Sequence, residues 1–134
     1  MPPPRSPLSK LRDRRQKSLG ARGEELAAEH FERLGYTILA RNRRTRYGEL
    51  DLVATDEPAR TIVFAEVKTR RLGTGEPWDN LHEAKRGQVR SMASAWLAEV
   101  RERPWAAELR FDAVGILLGE DGGLVRLDHL EAAF

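Results

Sequence analysis

Three acids and a lysine stand in two short stretches near the middle of the chain, G-E-L-D-L-V-A and V-F-A-E-V-K-T-R. Both stretches read as strands, whose side chains point to alternate faces. Glu49 and Asp51 therefore share one face of the first, and Glu66 and Lys68 share one face of the second. Between them, Asp56-Glu57-Pro58-Ala59-Arg60 reads as a tight turn with Pro58 at its second position. A hairpin centred between Pro58 and Ala59 sets Asp51 opposite Glu66 and Glu49 opposite Lys68. Their Cβ atoms would lie about 5 Å apart, provided no bulge shifts the register. Ile62, Val63, Phe64, Ala65 and Val67 suggest a strand buried on both faces. Carboxylates there are costly unless paired or bound to a cation. Two that face each other raise one pKa unless a cation sits between them. A hard divalent ion, Mg²⁺ or Mn²⁺, suits such oxygen ligands, and Mg²⁺ keeps waters available for chemistry. A neighbouring lysine can position water and stabilise charge building on a phosphate. Asp51 and Glu66 are thus candidate metal ligands, with Lys68 and Glu49 beside them. A structural ion-pair network among the same residues is the plain alternative.

These strands need supporting elements. Gly20, Gly23, Glu24, Ala27, Phe31 and Leu34 recur at helical spacing, predicting a helix over residues 19–34, with Gly35 as its stop. Glycines on its inner face fit close approach to a sheet, and Glu24 on the same stripe would reach the acid cluster. Strands are expected at Tyr36–Arg41, Leu50–Ala54 and Thr61–Lys68. A Gly/Pro loop spans 72–78, and a long helix capped by Asp79 or Asn80 runs to about Val100, with Leu81, Val89, Met92 and Trp96 on its core face. Two further strands, Glu108–Leu118 and Leu124–Leu130, flank a Glu120-Asp121-Gly122-Gly123 turn. The fold class is α/β, in the order α-β-β-β-α-β-β, with a mixed central sheet flanked by helices. Residues 19–134 form one domain. Residues 1–18, with four prolines and six basic side chains against Asp13, read as a disordered basic arm. Such an arm serves as a solvated tail or adds sequence-independent phosphate affinity.

Arg41, Arg43, Arg44 and Arg46 run directly into the acidic strand, in position to hold a phosphate backbone beside a carboxylate site. Arg70 follows Lys68, and Lys85, Arg86 and Arg90 open the second long helix, where a solvated face is the competing reading. Arg110 and Asp112 alternate on a strand and read as a structural salt bridge. His30, His82 and His129 show no metal-ligand spacing. Trp78, Trp96 and Trp105 read as packing residues, with Trp78 also placed to stack on a base. Gly48 reads as a turn glycine.

The helix acid Glu24, the first-strand acid Asp51 and Glu66-Val67-Lys68 together resemble the PD-(D/E)xK nuclease superfamily. A narrower resemblance rests on G-A-R-G-E-E-L-A-A, L-G-Y-T-I-L-A-R-N-R-R, G-E-L-D-L-V-A, V-F-A-E-V-K-T-R, Lys85, R-F-D-A-V and H-L-E-A-A-F, which occur in that order. From about Leu19 to Phe134 the chain is similar to the YraN family of small bacterial proteins. Leu50 stands where isoleucine is usual and Ala65 where valine is usual, and neither change touches the chemistry. The resemblance implies a restriction-endonuclease-like fold and a nucleic-acid-binding or endonuclease role, with a layout like that of archaeal Holliday-junction resolvases. Asp51 and Glu66 would hold the metal with help from the Val67 carbonyl, Lys68 would position water, and Glu24 or Glu49 would complete the shell. The expected function is Mg²⁺-dependent hydrolysis of a phosphodiester in structured or branched DNA, DNA being favoured over RNA. The alternatives are a non-catalytic nucleic-acid-binding or adaptor protein on the same fold, and a protein-interaction module in which the cluster is only an ion-pair network.

Bulk composition bounds the rest. At 134 residues the chain holds one modest core. It has no cysteine, which excludes disulfides, thiolate zinc sites and cysteine nucleophiles. A reducing cytoplasm fits. No apolar run reaches the roughly 20 residues of a membrane span, and the basic N-terminus lacks the apolar stretch of a secretory signal. The net charge of +2 comes from the basic arm, and the body is mildly acidic. A homodimer is an open expectation, since cutting a symmetric junction calls for one, although no interface pattern stands out in the sequence.

Overall fold

A computed structural model describes residues 7–80 and 83–134, with side chains described for 19–79 and 87–134. The elements are α1 (Pro7–Arg33), β1 (Thr37–Thr45), β2 (Gly48–Asp56), β3 (Thr61–Arg71), a 3₁₀ turn (Pro77–Asn80), α2 (Glu83–Glu99), β4 (Glu108–Leu118) and β5 (Leu124–Leu130). The strands form one sheet in the order β1-β2-β3-β4-β5. β3 and β4 run parallel, and the other neighbours are antiparallel. This mixed sheet with its helices is the restriction-endonuclease-like layout expected from the sequence. The last two strands have the expected bounds.

α1 begins at Pro7, inside the segment expected to be a disordered arm. Proline fits the first helical position, and the leucine, lysine, arginine and glutamine residues that follow are good helix formers, with no glycine before Gly20. Residues 1–6 of the expected arm lie outside the described residues. α1 ends one residue before Leu34, which is exposed rather than on the inner face. Tyr36 N–H donates to the Phe31 carbonyl and Gly35 N–H to that of Glu32, with Gly35 at φ +96°. This is a Schellman stop, and glycine meets its left-handed requirement.

The sheet is packed on both faces. Leu26, Ala27, Ala28 and Phe31 of α1 join Leu52, Ala54, Val63, Ala65, Val67, Val114 and Ile116 in one core. Val89, Met92, Ala93 and Trp96 of α2 join Leu50, Val53, Ile62, Phe64 and Phe111 in the other. β3 is therefore an apolar run because both its faces are covered. Leu81 and His82 lie outside the described residues. Trp78 packs against the bare backbone of Gly115, where an added Cβ would stand 2.6 Å from the indole ring. Trp78 is thus a packing residue. Trp105, by contrast, is 67% exposed, under the Arg60 guanidinium. No described helix is long and apolar enough to cross a membrane.

Gly23 sets the approach of α1 to β3. A Cβ there would lie 1.8 Å from Thr69 Oγ1, so any side chain must push the helix off the sheet. Gly20 meets nothing within 4 Å, so only one of the two inner glycines has this role. Gly23→Ala is expected to destabilise the protein by about 1–3 kcal/mol, despite alanine's better helix propensity. Thermal melting checks this, with Gly20→Ala as the control expected to lose no stability.

Candidate active site

The hairpin register inferred from the turn holds over part of its length. Leu52 pairs with Ala65, Val53 with Phe64, Ala54 with Val63, Thr55 with Ile62 and Asp56 with Thr61. Glu57–Arg60 forms the turn, closed by Arg60 N–H to the Glu57 carbonyl, with Arg60 at φ +52°. The ladder ends at Leu52–Ala65. Asp51 is consequently not a ladder partner of Glu66, and Glu49 does not face Lys68 across β3. Glu49 instead pairs with Arg44 on β1. The cause is a change of face in β2: Leu50 packs in the α2 core and Leu52 in the α1 core, although strict alternation would place them together. Asp51 sits at this break. Its Oδ2 accepts the Val67 N–H at 2.8 Å, replacing the missing ladder bond.

The break gathers acids from three elements. Glu24 of α1 and Glu49 and Asp51 of β2 bring carboxylate oxygens within 4.8 Å of one another. Glu66 of β3 is buried, with Lys68 Nζ 3.4 Å from its Oε1. Burial pushes the Asp51 carboxyl up to about 7; the Glu66 and Glu24 charges add to this, and the Val67 N–H and Lys68 oppose it. Glu24 is raised mainly by burial, with Glu49 and Glu66 adding, while a hydrogen bond from Asn42 and the charge of Arg41 oppose it. The four acids thus form one electrostatic unit, with Lys68 and Arg41 among the cations that act on it. Their oxygens are hard donors, the type that suits Mg²⁺ or Mn²⁺.

Asn42 escaped the sequence reading. It lies on β1 at φ +50°, between Arg41, which pairs with Leu52, and Arg43, which pairs with Leu50. Asparagine tolerates this left-handed conformation better than most residues. Its position in the arginine run R-N-R-R was the only available signal. A second irregularity on the same strand, a bulge between Ile38 and Ala40, adjusts β1 to the bend in β2.

The first strand runs past its expected end at Arg41. Arg41, Arg43 and Arg44 extend β1, because its pairing with β2 continues to Thr45–Gly48. All three are exposed, as is Arg46 in the Arg46-Tyr47 turn, where its guanidinium stacks 4.9 Å from the Tyr47 ring centroid. Thr45 Oγ1 donates to the Gly48 carbonyl and accepts the Tyr47 N–H, tightening this turn. Gly48, at φ +134°, lets α2 close in: an added Cβ would meet Gln88 at 2.8 Å. A cleft of about 250 Å³ beside it is lined by Arg46, Tyr47, Ser91, Ser94, Ala95 and Ala98. Arg70 is half-buried two residues beyond Lys68 on β3. The backbone of Lys85 lies on α2, but its side chain, like that of Arg86, lies outside the described residues.

Away from the acids, R-F-D-A-V and H-L-E-A-A-F meet. Arg110 grips the fully buried Asp112 with Nε at 2.9 Å and Nη2 at 2.8 Å, confirming the expected salt bridge. His129 Nε2 lies 2.7 Å from Asp112 Oδ2, and Ala132 N–H donates to Oδ1 at 3.0 Å. With Nε2–H committed to Asp112, a neutral His129 accepts the His30 Nε2–H at Nδ1, 3.0 Å away. Both histidines therefore belong to a structural chain.

The family model for "Uncharacterised protein family UPF0102" matches residues 23–116. A UPF0102 protein of Nocardia farcinica is 48% identical over 120 residues, covering 89% of this chain and 91% of that relative. One from Mycobacterium tuberculosis is 42% identical over 130 residues, covering 92% and 98%. One from Mycobacterium avium is 46% identical over 105 residues, covering 75% and 78%. The matched span holds Glu24, Glu49, Asp51, Glu66 and Lys68 as well as Arg110 and Asp112, and on these matches the chain belongs to the UPF0102, or YraN, family.

Proposed function

We propose that the protein is a divalent-metal-dependent nucleic-acid phosphodiesterase that cuts DNA, structured or branched DNA being its expected substrate. The observation that carries this reading is the break in β2 at Asp51, which gathers Glu24, Glu49 and Asp51 beside the buried Glu66 and Lys68. Among the described residues, Glu24, Glu49, Asp51 and Glu66 stand together beside Lys68, and Asp51 is raised to about 7 by burial and by its acidic neighbours. A hard cation relieves that repulsion.

Asp51 and Glu66 would hold Mg²⁺ or Mn²⁺, with Glu24 or Glu49 completing the donor set. When bound, the metal would polarise a phosphoryl oxygen and lower the pKa of water. Lys68 supplies positive charge next to Glu66, where it orients water and offsets charge on the phosphate. The Val67 N–H fixes Asp51 through its Oδ2. Arg41, Arg43, Arg44 and Arg46 present an exposed basic row on the neighbouring strand and turn, suited to holding the sugar-phosphate backbone.

The test uses end-labelled linear, flapped and four-way-branched DNA with Mg²⁺ or Mn²⁺. Wild type is expected to cut in a metal-dependent manner. Lys68→Ala is expected to lose on the order of 10²–10³-fold in rate and to keep metal binding by calorimetry. Wild type that neither cuts nor binds metal, with or without DNA present, would overturn the proposal.

A further inference from the structure

We propose, resting on the phosphodiesterase reading and narrowing its substrate, that the cleft between the β1–β2 turn and α2 binds one unpaired nucleotide, so that the DNA carries a single-stranded arm. Arg46 and Tyr47 form one wall of this cleft, and Ser91, Ser94, Ala95 and Ala98 of α2 form the other. The small α2 side chains leave the space open. The opposite wall is fixed by the fold. Gln88 Nε2 donates to the Tyr47 carbonyl at 2.9 Å, which ties the turn to α2. The Thr45 hydroxyl closes the turn on itself through the Tyr47 N–H and the Gly48 carbonyl. Gly48 brings α2 close, since an added Cβ would stand 2.8 Å from Gln88 and 3.1 Å from Met92 Sδ. The wall therefore stands in place before a ligand arrives, and little ordering is left for binding to offset.

The two walls suit the two halves of a nucleotide. Tyr47 is 43% exposed, and the Arg46 guanidinium lies 4.9 Å from its ring centroid. Bases stack on aromatic rings and on guanidinium planes with little regard to sequence, because every base has a π-face. Arg46 also brings positive charge for a phosphate, and the Ser91 and Ser94 hydroxyls can donate to phosphate oxygens. The six lining residues include no acid, so nothing in the cleft wall repels an anion. At about 250 Å³ the cleft has room for a single base with its phosphate and none for a duplex. A base inside a duplex is stacked between its neighbours and offers no free face until it is extruded. The fitting ligand is therefore an unpaired nucleotide.

The cleft lies on the path to the acids. Tyr47 precedes Glu49 by two residues on the same hairpin, a span of about 7 Å at full extension. The exposed Arg41, Arg43 and Arg44 run along β1 into the turn. A strand resting on these arginines passes from the acid cluster to the Arg46-Tyr47 platform. A flap or fork supplies such an arm, whereas a fully paired four-way junction does not.

The experiment is fluorescence anisotropy in EDTA with the full chain, using a labelled oligo-dT strand and a blunt duplex of the same length. Wild type is expected to bind the strand more tightly than the duplex. Tyr47→Ala is expected to weaken strand binding by on the order of tenfold and to leave duplex binding nearly unchanged, whereas Tyr47→Phe is expected to bind as wild type does. Ser94→Glu, which sets a negative charge in the cleft, is expected to weaken strand binding as well. Arg33→Gln makes the same change in net charge at an exposed site on α1 and is expected to bind as wild type does. Circular dichroism confirms that each variant is folded. Photo-cross-linking of a strand carrying 5-iodouracil to wild type is expected to mark the tryptic peptide 47–60, a readout that stands even if a variant misfolds. Wild type that binds no strand or prefers the duplex, Tyr47→Ala or Ser94→Glu that binds the strand as tightly as wild type, or a cross-link outside that peptide would each overturn the proposal. EDTA separates this result from the metal site. A protein that cuts DNA without Tyr47-dependent strand binding keeps the phosphodiesterase reading and loses the cleft. Tyr47-dependent strand binding by a protein that neither binds metal nor cuts keeps the cleft and loses the phosphodiesterase.

Discussion

Asp51→Asn is expected to raise the melting temperature of the metal-free protein at pH 8 while abolishing saturable Mg²⁺ or Mn²⁺ binding. In the folded protein the Asp51 carboxyl titrates near 7, against 3.8 for the ordinary group, because it is buried beside Glu66 and Glu24. A raised carboxylate pKa means that the native state holds a proton which the unfolded chain has released. Stability therefore falls as pH rises from about 4 to 7, and above 7 the full penalty is present. That shift corresponds to roughly 4 kcal/mol. Asparagine keeps an oxygen acceptor for the Val67 N–H and removes the charge. A gain of about 5–10 °C at pH 8 should shrink at pH 5, where wild-type Asp51 is largely protonated. Divalent metal should stabilise wild type at pH 8 and leave the variant unmoved, and any cleavage should fall by on the order of 10³-fold. Fluorimetric melts at both pH values, with and without Mn²⁺, separate these effects. A folded variant that melts below wild type at pH 8, or that binds Mn²⁺ as tightly, contradicts the electrostatic account.

The same residue marks the limit of what the sequence disclosed. Pro58 and the alternation of β2 and β3 placed the hairpin register correctly from Asp56–Thr61 to Leu52–Ala65, because turn chemistry and side-chain period are local. The break at Asp51 was invisible, since the counting rule assumes an unbroken ladder. The strand bends where Leu50 and Leu52 must reach opposite cores, a requirement set by two distant helices. Glu24 was legible from its helical stripe. Its partner Asn42 was not, because nothing in an arginine-rich run announces a left-handed residue. The first strand was expected to end at Arg41, because Arg43 and Arg44 break its apolar pattern, whereas an edge strand exposes side chains as fully as a loop does and runs on to Thr45. The helix start at Pro7 was hidden by composition: charge and proline argued for disorder, although a single proline at the first turn is compatible with helix. Arg110 and Asp112 were read as a salt bridge from their two-residue spacing. Their partners His129 and Ala132, and His30 of α1 bonded to His129, are distant in sequence and meet only in the finished sheet.

That network gives the largest expected loss of stability. Asp112→Ala is expected to destabilise the protein by about 3–5 kcal/mol, because it removes the acceptor for four donor groups in a buried site. The carboxylate receives Arg110 Nε and Nη2, the His129 ring and the Ala132 N–H. Burial alone would raise its pKa, but hydrogen bonds from His129, Arg110 and Ala132 outweigh this and hold it below the ordinary value. With a depressed folded pKa, its contribution is complete above about pH 4 and is lost only as pH falls through the lower native value. The deficit of the variant should therefore persist from pH 5 to pH 8 and close only in acid, the opposite sense to Asp51→Asn. The loss should also be local in its first effects. Ala132 sits at φ +52°, and Ala133 N–H reaches the Phe111 carbonyl, so the C-terminal segment is held at both ends of R-F-D. Arg90 adds a bond to the Phe134 carbonyl and stacks on Phe111. In Asp112→Ala, amides 129–134 should exchange fastest, followed by the β4–β5 ladder, while β2 and β3 around Asp51 keep their protection until global unfolding. Deleting residues 132–134 should cost less, since Asp112 then keeps Arg110 and His129. If Asp112→Ala melts within a degree or two of wild type, the network does not anchor the C-terminal strand, and the meeting of R-F-D-A-V with H-L-E-A-A-F has some role other than stability.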